Sequence, residues 1–417
     1  MADLRARGLV HDSTDPTELE ARLAKGSVGV YVGFDPTADS LHVGHLLGQL
    51  MLRRFQMAGH RPFPLAGGAT GMVGDPSGRS EERNLLSADA LAHNVAKISQ
   101  QLERLLDFSG ANAATLVNNA DWTRNVGVLD FLRDVGKHIT VNQMLAKESV
   151  KNRLGNENGL SFTEFSYMLL QATDFRHLYQ HHNVELQMGG SDQWGNITAG
   201  TDLIRKALGG SGYGLTWPLV TKSDGTKFGK SASGAVWLDP ERTSPYQFRQ
   251  FWIQQSDDDA VRYVRQFSLA PLEQCEAIIT EHLAAPEKRA AQRSIAHEMT
   301  SLVHGEETAL AAATAADILF GGNPTTASPE ALAFVAAEVP SSTVGASALG
   351  DVVALLQTCG LASSNGDARR TISQGGVRAN GVQIKEDTDL NAASRLGNRW
   401  ILLRKGKTNY HLLEISG

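Results

Sequence analysis

The hydrophobic positions of this 417-residue chain follow two patterns, one with a period of two and one with a period of three to four. The period of two covers residues 28–34, where valine and phenylalanine alternate with glycine and tyrosine, and it predicts a strand near a core. Asp35 and Pro36 end this strand, because proline cannot continue a central ladder. The helix that follows has Ser40 as its predicted N-cap and an apolar stripe within residues 46–55.

Strand and helix patterns then alternate through the first half of the chain. This order predicts an α/β fold with a Rossmann-like parallel sheet, right-handed crossovers and ligands at the carboxyl ends of the strands. The predicted elements are a strand at 61–70 that ends in a glycine-rich loop, helices at 91–106, 128–152 and 161–175, and strands at 114–119 and 184–190.

The chain changes character after this first part. We predict a Rossmann-like catalytic domain at 1–220 and a lysine-bearing loop followed by a helical domain at 221–322. Residues 323–348 are rich in Pro, Ser, Thr and Ala and contain no Lys or Arg, which predicts a linker that includes at most one helix. Residues 349–417 form a last small domain, with two short helices and a hairpin that turns at Asn380-Gly381.

Composition and charge narrow the class of protein. A hydrophobic content of 41% and a charged content of 20% are typical of a globular protein, and no segment has the length of a membrane span or the pattern of a signal peptide. Cys275 and Cys359 support neither a disulfide framework nor a metal cluster, so we expect a cytoplasmic location. The net charge is −6, yet residues 349–417 carry nine Lys and Arg against six Asp and Glu, which weakly suggests a local polyanion contact.

His42 and His45 are three residues apart at the start of the first long helix. Both therefore lie on one face, beside unpaired backbone N–H groups, and Gly44 leaves room between them for a phosphate chain. A bare pair of this kind is more often an ordinary helix cap, and a zinc pair is the next alternative. The preceding strand and the turn at 33–37 favour a nucleotide site, and no cysteine or third ligand lies at metal spacing.

Three further features suggest a polar ligand site. Tyr167, Gln171 and Asp174 form a polar row on a helix that is otherwise apolar, which fits a specific pocket better than a solvated face. Asp192 follows a strand and two glycines, where it could bind a ribose hydroxyl or cap the next helix. The loop at 221–232 carries Lys227 and Lys230; its glycines have three residues between them rather than the four of a P-loop, so we expect it to close over a triphosphate instead.

Together these motifs closely resemble the bacterial tyrosyl-tRNA synthetase family. They are the segment 31–45, TGMVGDPSG at 70–78, SFTEFSYMLLQATDF at 161–175, GGSDQWGN at 189–196 and KFGKS at 227–231. HVGH and KFGKS resemble the two signatures of class I aminoacyl-tRNA synthetases, and the tail from Leu349 resembles the S-four-like RNA-binding module of bacterial members.

The resemblance implies a tyrosine–tRNA ligase that forms tyrosyl-adenylate from ATP, with Mg²⁺, and then charges tRNA(Tyr). It implies no tightly bound cofactor and no resident metal. The catalytic residues around the phosphate path would be His42, His45, Lys227, Lys230, Arg79 and Arg83. Arg79 stands where the family has lysine, so the charge is kept.

The resemblance also assigns the remaining site residues and partners. Tyrosine would be bound by Tyr31, Asp75, Tyr167, Gln171, Asp174 and Gln187, with Tyr31 and Asp174 at its hydroxyl. ATP would be bound by Gly33, Asp35, Thr37, Gly44, Asp192, Gln193 and Lys230. Thr173, Val32 and Gly48 depart from the family pattern near these positions. The tail would bind tRNA through Arg369, Arg370, Arg378 and Lys385, and a homodimer is implied, with Phe162 near the interface.

Three alternatives remain at this point. A tryptophanyl-tRNA synthetase shares the fold, but the pair Tyr31 and Asp174 favours a phenolic hydroxyl. An HxGH nucleotidyltransferase would not explain KFGKS or the tail. A non-catalytic RNA-binding paralogue would not need all the expected charged residues.

Overall fold

A computed structural model describes residues 1–77, 86–147, 150–151, 154, 159–223, 225–226, 228–231 and 234–416, without the side chains of residues 230 and 231. The chain forms two compact units. The first contains Met1–Thr243 and Gln254–Ile295, and the second contains Ser244–Ile253 and Ala296–Gly417.

The first unit is built on a five-stranded parallel sheet with the strand order β3-β2-β1-β4-β5. This order is that of a Rossmann-like sheet, and the chain reverses direction across the sheet between β1 and β4, where such folds bind ligands. The prediction of a parallel α/β fold is confirmed. The strands are β1 (Gly29–Phe34), β2 (Arg61–Ala66), β3 (Val117–Asn118), β4 (Val184–Gly190) and β5 (Tyr213–Trp217).

Helices cover this sheet, and their apolar sides form its core. Tyr31 and Phe63 from two adjacent strands pack with Phe175 and Leu178 from one helix. The helices of the first unit are α1 (Ala2–Ala6), α2 (Pro16–Ala24), α3 (Val43–Met57), α4 (Ala88–Leu105), α5 (Ala120–Thr123), α6 (Val128–Asp134), α7 (Val141–Leu145), α8 (Phe162–His182), α9 (Trp194–Leu208), α11 (Asp257–Phe267) and α12 (Leu272–Ala284), with β6 (Lys230–Ser231) and β7 (Gly234–Ala235) forming a short hairpin.

Two local predictions differ from the structure. The N-cap of α3 is His42 rather than Ser40, whose hydroxyl donates to the Leu41 carbonyl and accepts from Gln101. The helical pattern at 128–152 is broken, because the chain forms a 3-10 turn at Gly136–His138 between α6 and α7. Both differences lie where local propensity competes with contacts made by distant residues.

The second unit combines helices with a mixed sheet of order β10-β9-β11-β12-β8. The predicted hairpin is confirmed, since Ala379 pairs with Val382 across Asn380 and Gly381, both with positive φ as a tight hairpin turn requires. Its elements are α10 (Pro245–Ile253), α13 (Ala290–His304, which crosses the unit boundary), α14 (Glu306–Leu319), α15 (Pro329–Glu338), α16 (Val352–Thr358), α17 (Asn365–Ser373), β8 (Ser341–Val344), β9 (Val377–Ala379), β10 (Val382–Gln383), β11 (Trp400–Lys405) and β12 (Asn409–Ile415).

The segment 323–348 is more ordered than its composition suggests. It contains helix α15 and strand β8, and β8 pairs in parallel with β12. Leu332 and Val335 are buried with Leu402 and Leu412 of the sheet. Long-range packing therefore organises a stretch whose local sequence resembles a linker. None of the helices described has the length and apolarity needed to cross a bilayer.

Candidate active site

A cavity of about 380 Å³ opens at the carboxyl ends of the central strands, as the sheet topology predicts. Strands β1, β2, β4 and β5 all contribute residues to its wall, together with helix α8 and the start of α3. The predicted site residues that line it are Tyr31, Gly33, Asp35, Thr37, His42, Gly44, His45, Asp75, Tyr167, Gln171, Asp174, Asp192 and Gln193.

Four predicted residues cannot be placed in the cavity. Arg79, Arg83 and Lys227 lie outside the described residues. Lys230 is described in its backbone, which pairs with Ala235, but not in its side chain. Between these lysines, Phe228 is buried and its ring packs on aromatic rings of α11 at 5.0 and 5.3 Å.

Gln187 is not among the residues that line the cavity. It lies in β4, is 2% exposed, and its Oε1 faces Gly200 of helix α9, 3.3 Å from where a Cβ on that glycine would lie. Gln187 is the in-register partner of Tyr31 across β4 and β1, and partners on adjacent strands point to the same face of a sheet. Gln187 therefore lies beside Tyr31 on the side of the sheet that packs against α8 and α9, and its Oε1 has no hydrogen-bond partner among the described residues.

The closed end of the cavity carries two buried oxygen-bearing side chains. Tyr31 is 1% exposed and its hydroxyl has no hydrogen-bond partner among the described residues. Asp174 on α8 is 2% exposed. An unpaired buried hydroxyl is costly, so this end is suited to a ligand group that can both donate and accept a hydrogen bond.

Two residues that the sequence analysis did not identify hold the Asp174 carboxylate. Asn119 donates from Nδ2 to one oxygen at 2.9 Å, and Trp122 donates from Nε1 to the other at 2.8 Å. Asn119 is fully buried and also bonds to Thr70. Both follow the third strand, so the rule that ligands lie at strand carboxyl ends could have identified them.

Burial governs the protonation of this end. It raises the pKa of Asp174 to about 7, while the hydrogen bonds from Asn119 and Trp122 act to lower that pKa. Burial, and then the charge of Asp174, also raises the pKa of the Tyr31 hydroxyl. A hydroxyl of the ligand that donates to Asp174 would favour the ionised carboxylate.

The middle of the cavity is acidic. Tyr167 donates its hydroxyl to Asp35 at 2.9 Å, and Thr70 donates to the other oxygen of Asp35 at 2.8 Å. Gln193 donates from Nε2 to Asp75 at 2.7 Å, beside Asp192, whose pKa is raised by burial. Asp35, expected near the adenosine, is thus bonded to a residue expected at the tyrosine ammonium. Several carboxylates in one place suit a cationic group.

The open end carries the two histidines. Nδ1 of His42 accepts from Gly44 N at 3.0 Å, and Nδ1 of His45 accepts from His42 N at 3.2 Å. An Nδ1 that accepts carries no proton, so each neutral ring has its hydrogen on Nε2. The rings stack with their centroids 3.9 Å apart, and a Cβ on Gly44 would lie 2.7 Å from the His42 ring. The helix start therefore presents a pair of oriented N–H donors.

The predicted RNA-binding residues lie in the second unit, where Arg369, Arg370 and Lys385 are exposed and Arg378 is partly exposed. Arg369 pairs with Glu386 at 2.6 Å, and Arg370 pairs with Asp367 at 2.8 Å. Arg378 donates to the Gly381 carbonyl at 2.9 Å, and Lys385 is exposed. The ion pairs of the first two residues would compete with a polyanion for their charge.

Comparisons with known proteins agree along the chain. Residues 23–321 match the family model of class I tRNA synthetases for tryptophan and tyrosine, and residues 331–413 match that of the C-terminal domain of tyrosine–tRNA ligases of the SYY type. Tyrosine–tRNA ligases of Opitutus terrae and Roseiflexus castenholzii are 52% and 50% identical, over 99% of this chain and 99% and 98% of theirs. A C-terminally truncated mitochondrial tyrosyl-tRNA synthetase of Aspergillus nidulans is 33% identical with a TM-score of 0.70, covering 76% of this chain and 93% of that one.

Proposed function

Because the chain belongs to the class I tRNA synthetases for tryptophan and tyrosine, and among them to the tyrosine–tRNA ligases, we propose that its cavity activates L-tyrosine with ATP for transfer to tRNA(Tyr). The observation that carries this assignment is the buried pair Tyr31 and Asp174 at the end of the cavity opposite the two histidines. A phenolic hydroxyl can donate to the carboxylate and accept from the Tyr31 hydroxyl. Phenylalanine would leave both groups unpaired and desolvated.

The reaction has two steps, and the first needs no base. An oxygen of the tyrosine carboxylate attacks the α-phosphorus of ATP, a new P–O bond forms, and pyrophosphate leaves with the bonding electron pair. The 3′-terminal ribose hydroxyl of tRNA then attacks the carbonyl carbon of the adenylate, the C–O bond to AMP breaks with its electron pair leaving on AMP, and the hydroxyl proton passes to the departing phosphate. The attacking carboxylate is already ionised, so the protein contributes alignment and stabilisation of developing charge.

We assign the residues of the cavity to this chemistry by position. Asp174 and Tyr31 bind the hydroxyl, while Tyr167, Gln171 and Asp75 lie where the ammonium would be, in the acidic middle of the cavity. His42 and His45 donate from Nε2 to the phosphate oxygens, supported by the positive end of helix α3. We retain Arg79, Arg83, Lys227 and Lys230 as proposed phosphate ligands.

We infer that Mg²⁺ enters on the phosphates of ATP. Magnesium is usually held by one or two carboxylates together with substrate phosphates. Over the described ranges, no three His, Cys, Asp or Glu side chains are grouped so that they could hold a metal ion. Asp35, Asp75 and Asp192 line the cavity and are the carboxylates near which such a complex would bind. When bound, the ion would neutralise phosphate charge.

The proposed function is tested by exchange of labelled pyrophosphate into ATP with tyrosine, tryptophan or phenylalanine as the amino acid. We expect exchange with tyrosine alone, followed by charging of tRNA(Tyr). Exchange with tryptophan in place of tyrosine would identify the tryptophan enzyme. Transfer to another acceptor without any dependence on amino acid would identify a nucleotidyltransferase. RNA binding without exchange would identify a non-catalytic paralogue.

We propose that the exposed cations of the second unit bind tRNA phosphates. Arg378 is partly exposed and donates to the Gly381 carbonyl, and Lys385 is exposed, so both can take part. Arg378→Ala should weaken tRNA binding and reduce the slope of log affinity against log salt concentration by about one, with tyrosine-dependent exchange unchanged. Arg104→Ala, which removes an exposed arginine of helix α4, is the matched control. An unchanged slope for Arg378→Ala would remove this residue from the interface.

We also propose a homodimer formed through an apolar face of the first unit. Large apolar side chains lie exposed between residues 126 and 162, among them Leu129 at 78% and Phe162 at 79%. Exposed apolar side chains concentrated in one section of the chain suggest a protein–protein interface. Leu129→Asp with Phe162→Asp should convert a dimer to a monomer in sedimentation velocity, whereas Phe320→Asp, equally exposed in the second unit, should not. A monomeric wild type would contradict the proposal.

We place the protein in the cytoplasm, where ATP and tRNA are available to it. Its two cysteines are unpaired thiols, Cys275 buried and Cys359 partly buried. The proposed domains are the Rossmann-like domain at 1–220, the loop and helices at 221–322, and the small domain at 349–417. In this division the segment 323–348 joins its neighbours through α15 and β8.

A further inference from the structure

A short segment at residues 236–239, which we call the strap, runs antiparallel beside residues 40–43 at the start of helix α3. The strap follows the lysine-bearing loop in sequence, and both partners belong to the first unit. His42 forms a bridge with Trp237 at the centre of the pairing. The hydrogen bonds are Val43 N to Val236 O at 2.9 Å, Leu238 N to Leu41 O at 2.9 Å and Asp239 N to Ser40 Oγ at 3.2 Å.

The Trp237 side chain makes contacts on both sides. Its ring packs against the His42 ring at a centroid distance of 6.0 Å, with an angle of 64° between the planes. The guanidinium of Arg242 lies over the indole, with Cζ 3.7 Å from the ring centroid. Arg242 also pairs with Asp39 at 2.5 Å, three residues before His42. The side chains of Arg242, Trp237, His42 and His45 therefore lie in a row, each against the next.

We propose that Trp237, held by Arg242, is a positioning residue that keeps the His42 ring in its donating orientation. His42 is the N-cap of α3 and is partly exposed, and the adjacent Gly44 is exposed and has no side chain to pack against the ring. Its own hydrogen bond to Gly44 N sets the rotation of the ring, and contact with Trp237 on one side and His45 on the other keeps it from swinging away. A group that aligns or stabilises the transition state can lose about 100-fold in rate when it is displaced by about 1 Å.

This inference rests on the proposed function, because it assigns Trp237 a role through His42. It predicts a specific kinetic pattern. Trp237→Ala should lower kcat for tyrosine-dependent pyrophosphate exchange about tenfold with KM for tyrosine unchanged, since the contact is made at the phosphate end. Trp237→Phe keeps an aromatic ring and should restore most of this loss. Arg242→Ala should have a smaller effect of the same kind.

The deciding experiment is a double-mutant cycle with His42→Ala. If Trp237 acts through His42, then Trp237→Ala should lower kcat by less than twofold when His42 is already alanine. Arg399→Ala is the matched control, because Arg399 also stacks on a tryptophan, Trp400, and pairs with an acidic residue, but in the second unit. It should leave exchange unchanged.

The outcomes separate this inference from the proposed function. A wild type without tyrosine-dependent exchange would overturn the proposed function and this inference with it. An active wild type whose Trp237→Ala variant has a normal kcat would overturn the inference alone. So would a tenfold loss that persists in the His42→Ala background, or a KM for tyrosine that rises in parallel, since either result would indicate a general structural role.

Discussion

At one end of the cavity Asp174 is 2% exposed and is held by side chains from elsewhere in the fold, whereas at the other end His42 and His45 are held by backbone N–H groups of their own helix start. The closed end excludes water and depends on a network of distant residues. The open end is local, and it is the end at which we propose that phosphates enter and leave.

The difference indicates how recognition and chemistry are divided within one cavity. A buried carboxylate discriminates because an imperfect ligand leaves it unpaired in a medium of low polarity. Oriented N–H donors at a helix start stabilise charge that develops during the reaction, and they need little burial to do so. We therefore expect damage at the closed end to affect tyrosine binding, and damage at the open end to affect the rate.

The largest effect should follow from Asp174→Asn. The amide keeps the size of the side chain but replaces an acceptor oxygen with a donor, so it opposes Asn119, Trp122 or the substrate hydroxyl. We expect kcat/KM for tyrosine to fall roughly 100- to 1,000-fold, since hydrogen bonds to buried charged groups are the strongest of their kind. Steady-state exchange kinetics measure the loss, and a change of less than tenfold would argue against recognition at this end.

The next effect should follow from His42→Ala or His45→Ala. Each removes one phosphate donor, and we expect kcat for adenylate formation to fall about 30- to 100-fold. Tyrosine affinity, measured by equilibrium dialysis, should stay within about twofold because the closed end is untouched. An equal loss of tyrosine affinity would contradict the proposed division of recognition and chemistry between the two ends.

A smaller effect should follow from Trp122→Phe. The change removes the N–H that donates to Asp174 but keeps an aromatic ring against His177, on which Trp122 stacks at 4.4 Å. Because that bond lowers the pKa of Asp174, its loss should raise this pKa further and weaken tyrosine binding about tenfold at pH 7. The control is Trp217→Phe, a ring change at another position of the cavity wall, which should not move the pH profile of binding.

Tyrosine binding should also change gradually with pH. The pKa of Asp174 is raised to about 7, and in the proposed complex the substrate hydroxyl donates to the ionised form, so KM for tyrosine should rise about tenfold per pH unit as the pH falls below 7. Asp174→Asn should show no change of KM over this pH range.

The stability of the free protein should also depend on Asp174. Its pKa in the folded protein lies above the unfolded value of about 3.8, so the free energy of unfolding of the wild type should decline as the pH rises from 4 to 7. Asp174→Asn should lack this decline when thermal unfolding is measured over the same pH range.

The open end was predictable from the sequence because its geometry is local. HVGH after a strand and a turn places both histidines by the geometry of one helix start, although the rings themselves, rather than Ser40, supply the cap. The polar row Tyr167, Gln171 and Asp174 was equally predictable, since helical periodicity puts it on one face.

The closed end was only half predictable, because its support comes from distant residues. Asn119 and Trp122 reach Asp174 across more than fifty positions of sequence, from a turn and a short helix that follow a strand only two residues long. Gln187 pairs in register with Tyr31, but its Oε1 lies beside Gly200 of helix α9, a neighbour that the sequence pattern does not predict. Periodicity in the sequence identifies which residues share a face of an element. The residues that pack against that face are set by the folded sheet.

The most direct test of the division is calorimetric titration of tyrosine and phenylalanine into the wild type, Asp174→Asn and His42→Ala. We predict that the wild type and His42→Ala bind tyrosine with the same affinity and bind phenylalanine far more weakly, while Asp174→Asn loses this preference. Retained preference in Asp174→Asn, or lost tyrosine binding in His42→Ala, would contradict the account.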